Sequence, residues 1–160
     1  MTKKILSCFF IGHRDAPESL LPLLTDAVER HTIDYGVYSF VTGHYGAFDR
    51  MAASAVIAAK KRHENVMLQM LIPYHPAANP IEPRSGFDGT FYPPGMEKVP
   101  HRAAILRANE YMIRTSTHLI AYCCYDFSNT YKLLEIAKRR ENGASLRIEN
   151  LADAIRFVGR

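Results

Sequence analysis

Three short polar segments carry the side chains from which chemistry is to be expected. Gly12-His13-Arg14-Asp15 follows an apolar run. Its glycine allows a tight turn and close approach of a ligand, and the planar fork of Arg14 grips phosphate or carboxylate. A plain surface turn with Arg14 paired to Asp15 is the simpler alternative. Gly43-His44-Tyr45-Gly46-Ala47-Phe48-Asp49 holds two glycines three residues apart, a spacing that can present successive backbone N–H groups to an anion. Asp49 can cap a helix there, hydrogen-bond a ribose hydroxyl or serve in acid–base chemistry. Tyr125-Asp126-Phe127-Ser128-Asn129-Thr130 offers small polar side chains and free N–H groups at a helix start, again a ready anion site. Capping by Ser128 or Asn129 explains those residues equally well.

Other chemistries lack their spacing. The second segment is not G-x-G-x-x-G, and neither a Walker A sequence nor a G-x-S-x-G elbow occurs. No C-x-x-C or H-E-x-x-H supports a metal, and no cofactor is required by any motif. Cys8 and Cys123-Cys124 fall in expected strands, where small buried hydrophobes belong. Pro73-Tyr74-His75-Pro76, with Phe87, Phe91 and Tyr92, offers rings to stack on a base, or simply to pack onto the domain.

The three segments need a scaffold that ends strands and begins helices at the right places. Residues 5–11 form a nearly unbroken apolar run, as in a strand buried on both faces of a parallel sheet. Asp15, with Pro17 in the first turn, is expected to cap a helix carrying Leu20, Leu23, Leu24, Ala27 and Val28 inward. A second strand is expected over 38–42, a helix over 50–61 with Ala52, Ala55, Val56 and Ala59 on one face, and a third strand over 66–72. The proline-rich stretch 73–100 shows no periodicity and reads as a long lid-like loop over the cleft. A helix over 101–114 should bury Ile105, Leu106, Met112 and Ile113. A fourth strand follows over 118–124, then a helix from Ser128 or Asn129 with Leu133, Ile136 and Ala137 inward. A short strand near 146–148 and a helical turn from Leu151 close the chain.

Strands alternating with helices predict an α/β fold: a Rossmann-like, doubly wound parallel sheet in three α/β/α layers, one domain over 1–160. In the usual 3-2-1-4 strand order the ligand cleft opens between the first and fourth strands, beyond their carboxyl ends. The 160 residues, 48% hydrophobic and 22% charged, suit one full core. No apolar run approaches the roughly 18 residues of a membrane span, and the stretch after Lys3-Lys4 leads to no cleavage site of a signal peptide. Three cysteines fit a reducing compartment, so a cytoplasmic, soluble protein is expected. The net charge of +4 is dispersed except at Lys60-Lys61-Arg62 and Lys138-Arg139-Arg140, both near expected helix C-termini where cations complement the dipole.

With these residues in view, the chain resembles the SLOG superfamily of Rossmann-like domains. That group holds DNA-processing Smf/DprA-like proteins, LOG-like phosphoribohydrolases and a branch of small bacterial proteins. The carriers are Gly12-His13-Arg14, the segment 43–49, Arg107-Ala108-Asn109-Glu110-Tyr111-Met112-Ile113 and the polar turn at 125–130, over about residues 4–140. The small bacterial branch is the most similar; its second loop has the form G-x-x-x-G-hydrophobic-D, against glycines three apart here. The resemblance implies a nucleotide-type ligand at the sheet's C-terminal edge, and its relatives commonly form homodimers. The phosphoribohydrolases use P-G-G-x-G-T-x-x-E in the fourth-strand loop. Here that loop has no glycine, Leu133 stands three beyond Thr130, and Glu135 lies about 200° away around the helix.

Three functions follow, in this order. The first is binding or sensing of a small phosphate-containing molecule, a nucleotide or its derivative. Its expected contacts are Gly12, His13, Arg14, Gly43, His44, Gly46, Asp49, Tyr74, Arg107, Asn109, Ser128, Asn129 and Thr130. The second is N-glycoside hydrolysis of nucleoside monophosphates with Asp49 or Glu135 as the catalytic carboxylate and Arg14 or Arg107 on the phosphate. The third, a module acting on single-stranded DNA, ranks last because no basic, aromatic-interleaved stripe is present.

Overall fold

The N-terminal apolar run becomes the central strand. In a computed structural model, which describes residues 5–142 and 145–158, β1 (Ser7–Gly12) is buried over residues 8–11. It sends Cys8 and Phe10 to one face of the sheet and Phe9 and Ile11 to the other. Burial on both faces explains why this stretch lacks a polar alternation.

The remaining elements are α1 (Leu21–Tyr35), β2 (Ser39–Thr42), α2 (Ala47–Lys60), β3 (Met67–Leu71), β4 (Gly89–Phe91), α3 (Ala104–Thr115), β5 (His118–Tyr122), α4 (Asn129–Asn142), β6 (Arg147–Asn150) and α5 (Leu151–Val158). The strands form one sheet of order β4-β3-β2-β1-β5-β6, every neighbouring pair parallel. α1, α2 and the start of α5 cover one face through Leu24, Val28, Ala52, Val56 and Leu151. α3 and α4 cover the other through Ala108, Ile113, Leu133 and Ala137. This is the three-layer, Rossmann-like α/β architecture expected from the alternation, and strand order reverses between β1 and β5. Among the described residues no helix is long and apolar enough to cross a membrane.

Several local expectations are corrected. The stretch 73–100 is not structureless: it contributes the edge strand β4 and a 3-10 turn at 96–98. The Asp88 carboxylate anchors it, accepting the Leu68 N–H at 2.8 Å and the Lys60 ammonium at 2.6 Å. Asp15 does not cap α1. It is exposed, and the chain makes a 3-10 turn over 18–20, with Pro17 ahead of it, before α1 begins at Leu21. On α3 the buried stripe is Ala104, Ala108, Met112 and Ile113, whereas Leu106 is 41% exposed. Leu106 lies about 200° around the helix from Ala104, so the two cannot share a face. β5 ends at Tyr122, which leaves Cys124 beyond the strand and exposed.

The basic clusters are largely spent inside the fold. Lys60 also donates to the Gly86 carbonyl, Arg62 pairs with Glu29, and the Arg140 guanidinium donates to the carbonyls of Ile113 and Ser116 at the end of α3. They tie elements together more than they form a charged surface.

Candidate functional site

At the reversal point, beyond the carboxyl ends of β1 and β5, lies a cleft of about 360 Å³. That volume falls at the small end of ligand sites. Of the expected residues, Gly12, His13, Arg14, Gly43, Asp49, Asn109, Ser128, Asn129 and Thr130 line it. So do Asp15, Tyr45, Ile105, Tyr125 and Leu133, which sequence reasoning did not choose. Four segments remote in sequence therefore converge.

Glycines fit the first two loops against each other. A Cβ on Gly12 would stand 2.2–2.5 Å from ring atoms of Phe48, so this glycine makes room for an aromatic of α2 while its backbone lines the cleft. Gly46 precedes α2 with φ 119° and ψ −178°, a conformation essentially confined to glycine. A Cβ there would meet the Arg14 backbone at 2.8 Å. Gly46 thus lies behind Arg14, outside the cleft lining, and the Ala47 N–H donates to the Arg14 carbonyl at 2.9 Å.

Asp49 is the third residue of α2. Its Oδ2 accepts the Tyr45 N–H at 3.0 Å and would lie 2.8 Å from a Cβ on Gly43. The missing side chain at Gly43 makes room for a carboxylate. Burial raises its pKa from 3.8 to about 6, against the opposing pull of the Tyr45 N–H and the Arg14 charge. The loop's anion-binding geometry is therefore partly occupied by an anion of the protein's own. Of the amides in this segment, that of Tyr45 is thus taken by Asp49 and does not face a phosphate.

The third loop keeps its donors. Ser128 is the cap: its Oγ accepts the Tyr131 N–H at 3.0 Å, and its carbonyl accepts the Lys132 N–H at 3.1 Å. The N–H groups of Asn129 and Thr130 precede the helix's own ladder and have no intrahelical acceptor. They add to the positive end of the α4 dipole at the cleft. Arg14 is exposed and forms no ion pair among the described residues; the alternative pairing with Asp15 does not occur.

His13 is a strut. Its Nε2 accepts the Cys124 N–H at 3.0 Å, which puts the ring proton on Nδ1, and burial holds its pKa below the ordinary value. Its ring stacks on Tyr125 at 3.9 Å and 6°. His44 stays out of the cleft lining. It packs on the Tyr45 ring at 4.1 Å, with Nδ1 buried and unpartnered, and burial lowers its pKa too.

Three further expected residues lie elsewhere. Tyr74 stacks on His101 at 4.2 Å and lines a separate hollow of about 600 Å³ with Tyr92 and Met96. Arg107 is exposed on α3 and does not line the cleft. Glu135 faces away from it and pairs with Lys138 at 3.5 Å, as expected one turn along a helix surface. Phe87 packs against the α1–α2 face and Phe91 against the α3–α4 face. None of the long loop's aromatics lines the cleft. No group of three or more His, Cys, Asp or Glu among the described residues is placed to hold a metal.

Neither a protein-family model nor a curated protein sequence matches this chain.

Proposed function

We propose that this protein binds or senses a nucleotide or nucleotide-derived ligand in the cleft between β1 and β5. One observation carries the reading: an unpaired guanidinium, Arg14, and the open N-terminus of α4 converge on a single cleft at the strand-order reversal. The phosphate sits between Arg14 and the N–H groups of Asn129 and Thr130. The Asp49 carboxylate, within the same cleft, accepts from a sugar hydroxyl, and Asn109 of α3 adds an amide on the opposite wall. The resemblance to the SLOG superfamily belongs to the same proposal, as does a reducing, cytoplasmic setting suited to the exposed free thiol of Cys124.

The test is thermal unfolding against nucleoside mono- and diphosphates, ADP-ribose and NAD. A ligand at 100 times its dissociation constant adds about 2.7 kcal/mol, or roughly 5–11 °C in Tm for a domain of this size. Arg14→Ala should weaken binding about 10- to 100-fold, the worth of a charge-assisted hydrogen bond. If no member of the panel raises Tm, the reading is wrong.

Asp49 also favours a second reading. A carboxyl held near pH 6 inside a cleft is poised for proton transfer at neutral pH. In N-glycoside hydrolysis it takes a proton from water as the oxygen attacks the anomeric carbon. The C–N bond breaks, its electron pair leaves with the base, and the base takes up a proton from solvent while Asp49 gives its own back to solvent. Release of free base from nucleoside monophosphates, lost in Asp49→Asn, supports hydrolysis; no release leaves simple binding.

A further inference from the structure

The loop after β5 displays two exposed aromatic rings, one stacked by one face on His13 and the other packed on nothing. Tyr125 lines the cleft and is 49% exposed, with its ring held parallel to His13. Phe127 is 96% exposed, the most open large hydrophobic side chain among the described residues. It also has φ 65°, the one positive φ among the described non-glycine residues. A bulky side chain in this left-handed region is strained, and such strain collects at functional sites. Here the strained residue buries nothing in return. It does not itself line the cleft but lies in the chain between two residues that do, Tyr125 and Ser128.

We propose that Tyr125 and Phe127 form an aromatic clamp for the base of the ligand, so that the site selects a nucleobase-bearing phosphate over a bare sugar phosphate. The inference rests on the nucleotide reading above and identifies which residues read the base. His13 backs Tyr125 from behind: its Nε2 bond to the Cys124 N–H fixes the imidazole, and the stacked imidazole fixes the phenol ring. Arg14, the phosphate ligand, is the next residue in the chain. Phosphate and base sites are thus built from adjacent positions of the same two loops. Stacking is tolerant of base identity because every base has a π-face. The clamp therefore selects the class, nucleotide against sugar phosphate, and leaves the choice among bases to other groups. The rings of the 73–100 loop are not available for this role, being packed on the sheet's two faces or set in the separate hollow.

Titration calorimetry with AMP, GMP and ribose 5-phosphate tests the clamp on the full chain. Intact protein should bind each nucleotide about 5- to 150-fold more tightly than ribose 5-phosphate, the range measured for base–aromatic stacking. Phe127→Gly with Tyr125→Leu should reduce that ratio to within twofold. Tyr125→Phe, which keeps the ring, should retain the preference, and circular dichroism melts show that each variant folds. Equal affinity for nucleotide and sugar phosphate in the intact protein overturns the clamp and leaves the phosphate site standing. A preference that survives loss of both rings also overturns it. If neither AMP, GMP nor ribose 5-phosphate binds, the nucleotide reading itself fails and the clamp falls with it.

Discussion

Replacing Asp49 with Asn should stabilise the protein, and the gain should grow with pH. The folded-state pKa of about 6 lies above the ordinary 3.8 because the carboxyl is buried, and neither the Tyr45 N–H nor Arg14 fully compensates. A raised acid pKa favours the fold only while the group is protonated. That contribution is complete below the unfolded value near 3.8 and is lost as pH rises through about 6. At neutral pH the native protein thus bears the cost of a charge in a poorly solvated place. The shift corresponds to about 3 kcal/mol above pH 7, falling to about 0.5 kcal/mol at pH 4. Asn keeps a carbonyl oxygen to accept the Tyr45 N–H and carries no charge. Urea unfolding of both proteins from pH 4 to 8 measures the difference, and the comparison cancels titration of the histidines common to both. At pH 8 the variant should melt about 6–12 °C higher. A difference that does not change with pH, or a variant less stable at pH 8, refutes the account of Asp49 as a buried internal anion.

Three further outcomes follow from individual contacts. Gly12→Ala should cost about 1–3 kcal/mol in urea unfolding, the usual penalty of overpacking, because its methyl would stand 2.2–2.5 Å from the Phe48 ring. Phe127→Gly should raise stability by about 0.5–1 kcal/mol: relief of left-handed strain outweighs glycine's extra freedom in the unfolded chain. A stability gain joined to lost nucleotide preference is the signature of a residue kept for function. Finally, His118 is buried at the amino end of β5, and burial, helped by the nearby charges of His31 and Arg147, lowers its pKa to about 4. A lowered histidine stabilises the fold above its unfolded pKa of 6.5, and that stability is lost as pH falls through about 4. His118→Gln should flatten the acid limb of the stability curve by about 2–3 kcal/mol between pH 6.5 and 4, read from urea midpoints.

What the sequence determined by itself is the architecture and the position of the cleft. Nearly unbroken apolar runs at 5–11 and 118–124 read as strands buried on both faces, and parallel strands joined by helices can wind in few ways. From that alone the loops after β1 and β5 had to meet. Ser128 as the cap of α4 and Arg14 as a cleft residue were legible too, since both roles follow from local chemistry at a strand end or helix start. Tertiary structure decided what each group faces. Gly12 and Gly43 look alike in sequence, yet one accommodates Phe48 and the other Asp49. No local pattern distinguishes a glycine that admits a ligand from one that admits the protein's own side chain. The three-residue strand β4 was hidden because its edge pairing with β3, secured by Asp88 and Lys60, comes from residues remote in the chain. Tyr125 and Phe127 were equally silent. An aromatic beside a strand normally enters the core, and only the packed fold shows that these two rings remain outside it, Tyr125 in the lining of the cleft and Phe127 in solvent two residues on.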